Sequence, residues 1–209
     1  HLRMLQEMNR PDLDLDRFEK IIKQDLALSY KLLRYINSAF FGFCNELRSI
    51  KPALVLIGEK DVKKWASLVA MASMGEDKPL ELVVRAVIRA KFCESLASKI
   101  GGLRDREQDL FLMGMFSLID AIVDRPLSEI LTDLPISPDI KNALLGESSR
   151  FRDVLETVLA YERGDWPLFF QWSSKLDMAQ TAIPKLYLQA VDWANQSFQG
   201  DALAQSSRV

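Results

Sequence analysis

Apolar residues recur at helical spacing along almost the whole chain. After Asp25, a possible helix cap, the apolar positions follow one another at intervals of three and four: Leu28, Leu32, Tyr35, Ile36 and Ala39. Period-two alternation of any length is absent, and no repeat of fixed period is present. The pattern predicts an all-α fold.

Local start and stop signals divide this pattern into separate helices. Ser49 can cap a helix that has Pro52 in its first turn and Gly58 at its end. A long helix over 80–100 is predicted to stop at the pair Gly101 and Gly102. Either Asp14 or Asp16 can cap the first complete helix. Further helices are predicted over 60–74, 105–123, 126–132, 137–146, 151–161, 166–176 and 183–198.

The helix over 105–123 is apolar on most faces, which indicates a central position within a bundle. The later helices are more amphipathic, and the last residues are small and polar. We therefore predict a helical core over 1–146, a C-terminal helical extension over 147–200 that packs on this core, and a frayed tail over 201–209.

Four segments of the chain resemble a known family. LSYKLLRYINSAFFG and RSIKPALVLIG resemble the hallmark of the HDOD domain, the HD-related output domain of bacterial signalling proteins. FLMGMFSLIDAIVDRPLSEIL and VLAYERGDW resemble the C-terminal HDOD region of proteins that carry an EAL-type domain before it. The resemblance implies a compact multi-helix bundle of HD-like architecture.

Composition and charge narrow the classes of partner. The chain has 209 residues, of which 48% are hydrophobic and 27% charged, and a formal net charge of -2. No basic field is present to hold a nucleic acid, and no apolar run reaches the roughly 18 residues of a membrane span. Cys44 and Cys93 show no pairing pattern, which favours reduced thiols and a cytoplasmic location. Because the chain begins with His1, we expect a fragment of a longer protein.

HD-type phosphohydrolases, to which HDOD domains look related, bind metal ions through several histidines and a His-Asp pair. The resemblance places the corresponding positions at Arg89, Ser117 and Leu118 of this chain, none of which is a metal ligand. It therefore implies a degenerate HD site, with no catalytic residue, no metal and no cofactor. Asp120 and Asp124, four residues apart, are interpreted as structural carboxylates.

Two aromatic groups are candidates for an interaction surface. The first surrounds Gly42 and the second lies in the predicted extension: Phe40, Phe41 and Phe43, then Trp166, Phe169, Phe170 and Trp172. The first group can instead fill the core. One helix face cannot bury all four residues of the second group, so either two elements flank it or part of it is an interface.

Three functions are carried forward. The first is a non-catalytic regulatory module that binds a protein partner of unknown identity; the resemblance adds an upstream EAL-like domain in the parent chain and a role in cyclic di-GMP signalling. The second is a nucleotide or cyclic-dinucleotide sensor, for which Arg85 and Arg89 are the arginines to test. The third is a metal-dependent phosphohydrolase that uses carboxylates alone.

Overall fold

The described part of the chain is built from α-helices and two short 3-10 helices, Arg104–Arg106 and Gln180–Ala182. The computed structural model describes residues 14–24, 26–36, 49–75, 77–134 and 136–205, and no strand occurs among them. The predicted all-α fold is confirmed. In chain order the helices are α1 (Leu15–Lys23), α2 (Leu26–Ile36), α3 (Ile50–Met74), α4 (Leu80–Ala97), α5 (Glu107–Phe116), α6 (Ile119–Val123), α7 (Leu127–Asp133), α8 (Pro138–Leu144), α9 (Arg150–Arg163), α10 (Trp166–Ser173) and α11 (Ile183–Gln205).

The described residues form two compact units. One combines the residues up to Ser73 with those from Trp193 onward, and the other runs from Met74 to Asp192. The division into a core over 1–146, an extension over 147–200 and a tail over 201–209 stays a prediction. None of the helices in the described ranges is both long and apolar enough to cross a membrane.

The start of α1 shows which of two aspartates is the cap. The Asp14 carboxylate accepts hydrogen bonds from the backbone N–H groups of Asp16 and Arg17, at 3.0 and 3.1 Å. Asp16 instead forms an ion pair with Lys51 at 2.5 Å. Asp14 is therefore the N-cap, because its side chain satisfies two N–H groups that have no partner within the helix.

Gly58 interrupts α3, as the sequence predicts. Its φ of 77° and ψ of 165° lie outside the helical region, in a conformation that only glycine adopts readily. The helix begins at Ile50, directly after Ser49, with Pro52 in its first turn. The apolar pattern beyond the kink is buried, as Val62 and Trp65 show.

Helices α4 and α5 pack closely in the second unit. A Cβ atom at Gly114 would lie 2.7 Å from the carbonyl oxygen of Arg89 and 2.8 Å from the Cα of Ala90. Every residue from Leu110 to Phe116 is buried. The absence of a side chain at Gly114 thus allows the two helices to approach at the centre of this unit.

The prediction of a single α-helix over 105–123 is wrong. A 3-10 turn precedes α5, and the chain then leaves the helix at Ser117 and Leu118 before α6 begins. The Ser117 hydroxyl donates a hydrogen bond of 2.6 Å to the carbonyl oxygen of Gly114. A serine that bonds a nearby carbonyl competes with the backbone ladder, which explains a break that apolar spacing does not reveal.

The boundary between α9 and α10 follows the sequence signals. Gly164 adopts the left-handed conformation with φ 67°, and the Asp165 carboxylate accepts from the N–H of Leu168 at 3.2 Å. Helix α10 then packs along α9. Helix α11 continues to Gln205, past its predicted end at Phe198 and into the predicted frayed tail, because the alanines, leucine and glutamine there favour helix.

Candidate functional site

Arg89 carries a buried charge in the middle of α4. Only 7% of its side chain is exposed, and the side chain of Glu162 on α9 is equally buried. The Arg89 Nε donates to both Glu162 carboxylate oxygens at 3.0 and 3.2 Å, and its Nη2 donates to Oε2 at 2.6 Å. This ion pair connects α4 to the last turn of α9 across a sequence separation of 73 residues.

Ser117 completes the network on the other side of the guanidinium. The Nη1 of Arg89 donates to Ser117 Oγ at 2.8 Å, and that hydroxyl in turn donates to the backbone of Gly114. The buried guanidinium thus has a charged acceptor in Glu162 and a neutral acceptor in Ser117, and these hydrogen bonds offset the cost of burying its charge. Leu118, the neighbouring residue, is half-buried and contributes no polar atom.

Arg85 and Arg89, the two arginines that the sequence offers for binding a phosphate, lie in different environments. Arg89 is buried against Glu162, whereas Arg85 is 59% exposed and its Nε lies 3.8 Å from Glu162 Oε2. The two guanidinium groups share a carboxylate and do not together face an open site. The sensor hypothesis gains no support from this arrangement.

The carboxylates Asp120 and Asp124 are also set apart. Asp120 is exposed on α6, and Asp124 ends that helix in the left-handed conformation with φ 51°. The Asp124 carboxylate forms an ion pair with Lys78 from the connection before α4. Both carboxylates are therefore surface groups, and only that of Asp124 is held in an ion pair with Lys78.

Sequence reasoning placed four aromatic residues together in the extension, and the structure divides them. Phe169 is buried, whereas Trp166 and Phe170 are 52% and 55% exposed. The Phe169 ring lies 6.0 Å from that of Trp166 and 5.3 Å from that of Phe170. Trp172 is half-buried and stands apart, with the ammonium of Lys175 over its ring at 3.8 Å.

An aromatic cluster that the sequence analysis did not identify packs against α10. Its centre is Tyr161, whose ring lies 5.8 Å from Trp166 and 5.5 Å from Phe169. On its other side Tyr161 meets Phe92 of α4 at 5.6 Å and Tyr187 of α11 at 5.2 Å. Tyr161 directly precedes Glu162, so the buried ion pair and the aromatic cluster share one turn of α9.

Cys93 lies one turn after Arg89 on α4 and is fully buried. Burial raises the pKa of its thiol far above the ordinary value of 9.0, although the charge of Arg89 acts in the opposite direction. The thiol therefore stays protonated and fits a core role. The other aromatic candidates, Phe40, Phe41 and Phe43, lie outside the described residues, as do Cys44 and Asp25.

Comparison with known protein families identifies this arrangement of helices. The model of the HDOD domain matches residues 1–123, more than half of the chain. The chain belongs to the HDOD domain family. The family predicted from LSYKLLRYINSAFFG is thus confirmed, and the HDOD match includes α4, α5 and α6, with Arg89 and Ser117.

Two relatives of this HDOD chain extend well beyond it. It is 30% identical over 195 residues to the protein YuxH of Bacillus subtilis (strain 168). The aligned region covers 92% of this chain and 47% of YuxH. It is also 30% identical over 193 residues to the cyclic di-GMP phosphodiesterase CdgJ of Vibrio cholerae serotype O1. That aligned region covers 92% of this chain and 44% of CdgJ. The chain spans less than half the length of either relative.

One crystal structure resembles the HDOD chain over nearly its full length. It is that of a Shewanella amazonensis SB2B protein whose name assigns it to the metal-dependent phosphohydrolases, with a TM-score of 0.59 and 16% sequence identity. The match covers 94% of this chain and 89% of that one. At this identity the likeness concerns the fold alone.

The family resemblance assigns the metal-ligand positions of hydrolytic HD proteins to Arg89, Ser117 and Leu118, and the chemistry of these three residues does not fit a divalent metal ion. Arg89 is a cation whose Nε, Nη1 and Nη2 groups already donate to Glu162 and Ser117. Among the described residues, no group of three or more His, Cys, Asp or Glu side chains is arranged to hold a metal ion. Glu162 is the acidic residue of this network, and both of its carboxylate oxygens accept from the guanidinium of Arg89.

Proposed function

We propose that this HDOD chain is a non-catalytic regulatory module that acts by binding another protein. The observation that carries the proposal is the Arg89 network. A buried guanidinium, paired with Glu162 and bonded to Ser117, occupies positions that the family resemblance assigns to metal ligands in hydrolytic relatives.

The charge of Arg89 argues against hydrolysis by a metal-bound water. A divalent cation placed about 4 Å from a guanidinium would be repelled by roughly 8 kcal/mol at an effective dielectric constant of about 20. The ion would also compete with Arg89 for the Glu162 carboxylate, which is already held in a two-pronged contact. Glu162 and Ser117 are both bonded to Arg89 in this network, so neither is available to activate water.

The signalling context comes from the relatives. CdgJ carries the name of a cyclic di-GMP phosphodiesterase, and the matched region makes up 44% of its length. We propose that this chain is the C-terminal part of a longer bacterial protein with an EAL-like domain. In that protein the hydrolytic chemistry belongs to the other part, and the HDOD region regulates it or reports its state from the cytoplasm.

The regulatory role is tested in the longer protein. The rate of cyclic di-GMP hydrolysis is measured for the intact protein and for a version that ends before the HDOD region. The control is the intact protein with Leu145→Ser, a substitution of an exposed residue. We expect removal to change the rate several-fold and the control to leave it unchanged. Equal rates for the intact and shortened proteins would overturn the regulatory role.

A further inference from the structure

The carboxylate of Glu162 lies within reach of two arginines of the same helix. It accepts hydrogen bonds from Arg89 at 2.6 to 3.2 Å, and the Nε of Arg85 lies 3.8 Å from its Oε2 atom. Arg85 and Arg89 are four residues apart on α4, so both reach α9 from the same side of their helix. Two cations therefore compete for one carboxylate.

The two arginines offer this carboxylate different surroundings. The side chain of Arg89 is 7% exposed and is also bonded to Ser117, whereas that of Arg85 is 59% exposed. A hydrogen bond is stronger in the interior, where water does not compete, so Arg89 is the principal partner of Glu162. A pair with Arg85 would be an exposed salt bridge, which is weaker because water screens it.

Only a small movement separates the two pairings. A hydrogen bond from the Arg85 Nε needs about 2.9 Å, so the Glu162 Oε2 has to move by about 1 Å. Glu162 lies in the last turn of α9, before Gly164 in the left-handed conformation. Helix ends open more readily than helix centres, and the helix dipole disfavours a carboxylate near a C-terminus. The arginines therefore do more than the helix itself to hold Glu162 in place.

The preceding residue links this turn to α10. The Tyr161 ring lies 5.8 Å from Trp166 and 5.5 Å from Phe169, and it meets Phe92 of α4 at 5.6 Å. Aromatic rings in edge-to-face contact have a preferred geometry. A shift of the last turn of α9 against α4 therefore changes the packing of Trp166, which is about half exposed.

We propose that Glu162 exchanges between Arg89 and Arg85, and that this exchange is a switch that couples α4 to α10. In the principal state Glu162 is paired with Arg89, and the last turn of α9 is clamped against α4. In the minor state Glu162 is paired with Arg85, and the turn moves towards solvent together with Tyr161. The inference rests on the proposed regulatory function and names the device by which the chain changes state.

A small population of the minor state is sufficient for regulation. Minor states of proteins that respond to ligands are commonly populated at about 0.1–10%. A partner that binds the minor state more tightly than the principal state shifts the equilibrium by that difference in affinity. The packing of Trp166 then differs between the free chain and the bound chain.

The exchange is tested by NMR relaxation dispersion on the ¹⁵N-labelled 209-residue chain, since this measurement detects motion on the microsecond to millisecond scale. We expect the Nε–H groups of Arg85 and Arg89 and the indole N–H of Trp166 to show dispersion with one common rate. Arg125 is the internal control, because it is similarly exposed and lies 3.6 Å from Glu129. Its Nε–H should show no dispersion at that rate.

Two variants hold the switch in opposite positions. Arg85→Gln removes the second partner, so the dispersion at Arg89 and Trp166 should fall about fivefold or more. Arg89→Met removes the first partner, so the Trp166 resonance should move towards the position that dispersion gives for the minor state. Arg125→Gln, the matched control, should leave the dispersion unchanged. Because Arg85 is exposed, Arg85→Gln tests the exchange even if Arg89→Met does not fold.

Three results would overturn the inference: no dispersion at Arg89 and Trp166, unrelated rates at these two residues, or dispersion that Arg85→Gln leaves intact. The regulatory function is tested separately, by the hydrolysis rate of the longer protein. If that rate depends on the HDOD region while the dispersion is absent, only the switch fails and the regulatory function stands.

Discussion

Arg89 is an unusual residue to find buried in the centre of a helix. Its side chain is 7% exposed, as is that of Glu162, and removal of one member of such a pair leaves the other charge without compensation. The sequence could identify Arg89 as a position without a metal ligand. It could not identify Glu162 as its partner, because nothing local connects two residues that lie 73 positions apart. A charged residue within an apolar helix is nevertheless a signal to search for an opposite charge.

Replacement of this arginine should destabilise the unit from Met74 to Asp192. Arg89→Met removes the closer positive charge and leaves the buried Glu162 with only the 3.8 Å approach of the exposed Arg85, so we expect the free energy of unfolding to fall by about 3 kcal/mol. Urea unfolding followed by circular dichroism measures this change.

The matched control is the double variant Arg89→Met, Glu162→Met. Because it removes both charges and restores apolar packing, it should be more stable than either single variant. If Arg89→Met cost less than about 1 kcal/mol, the pair would behave as an exposed salt bridge and the buried network would be wrong.

At the scale of elements, the boundaries marked by specific residue types were predictable. Ser137 caps α8 with its hydroxyl at the predicted start of that helix, and Gly58 and Gly164 interrupt or end helices with positive φ. The break at Ser117 was missed because apolar spacing continues through it. Whether a serine caps, bends or breaks a helix depends on which carbonyl its hydroxyl reaches, and that is a property of the fold.

Because α4 and α5 approach closely at Gly114, we expect the addition of one methyl group there to lower the stability of the protein strongly. Gly114→Ala would place a Cβ within 3 Å of backbone atoms of Arg89 and Ala90, and backbone atoms cannot rotate away as a flexible side chain can. We expect a loss of about 1–3 kcal/mol or more in the free energy of unfolding, measured by urea titration.

Gly101→Ala is the matched control for this substitution. A Cβ atom at Gly101 would meet no atom within 4 Å, and the φ of this residue is not positive. The effect of the substitution should stay within about 0.5 kcal/mol. Equal effects of the two substitutions would show that α4 and α5 do not approach each other closely at Gly114.

At the scale of the whole molecule, the sequence predicts the fold class and the family better than the function. The all-α fold and the HDOD family follow from apolar periodicity and from a long motif, and both are confirmed. The identity of a binding partner does not follow, because the exposed aromatic residues are a small part of a chain whose composition is dictated by its core. Only the structure separates Phe169, which is buried, from Trp166 and Phe170, which are exposed. The role of the loop with Phe40, Phe41 and Phe43 stays a prediction.

The measurement that tests the central claim most directly is hydrolysis by the 209-residue chain itself. Cyclic di-GMP and a chromogenic phosphodiester are each incubated with the folded chain in the presence of Mn²⁺ or Mg²⁺, with EDTA as the control. Because Glu162 is already paired with Arg89, and the described part of the chain holds no group of side chains arranged for a metal ion, we predict no turnover above the rate with metal alone. Turnover that depends on the metal, is abolished by EDTA and increases with the amount of the chain would contradict the account.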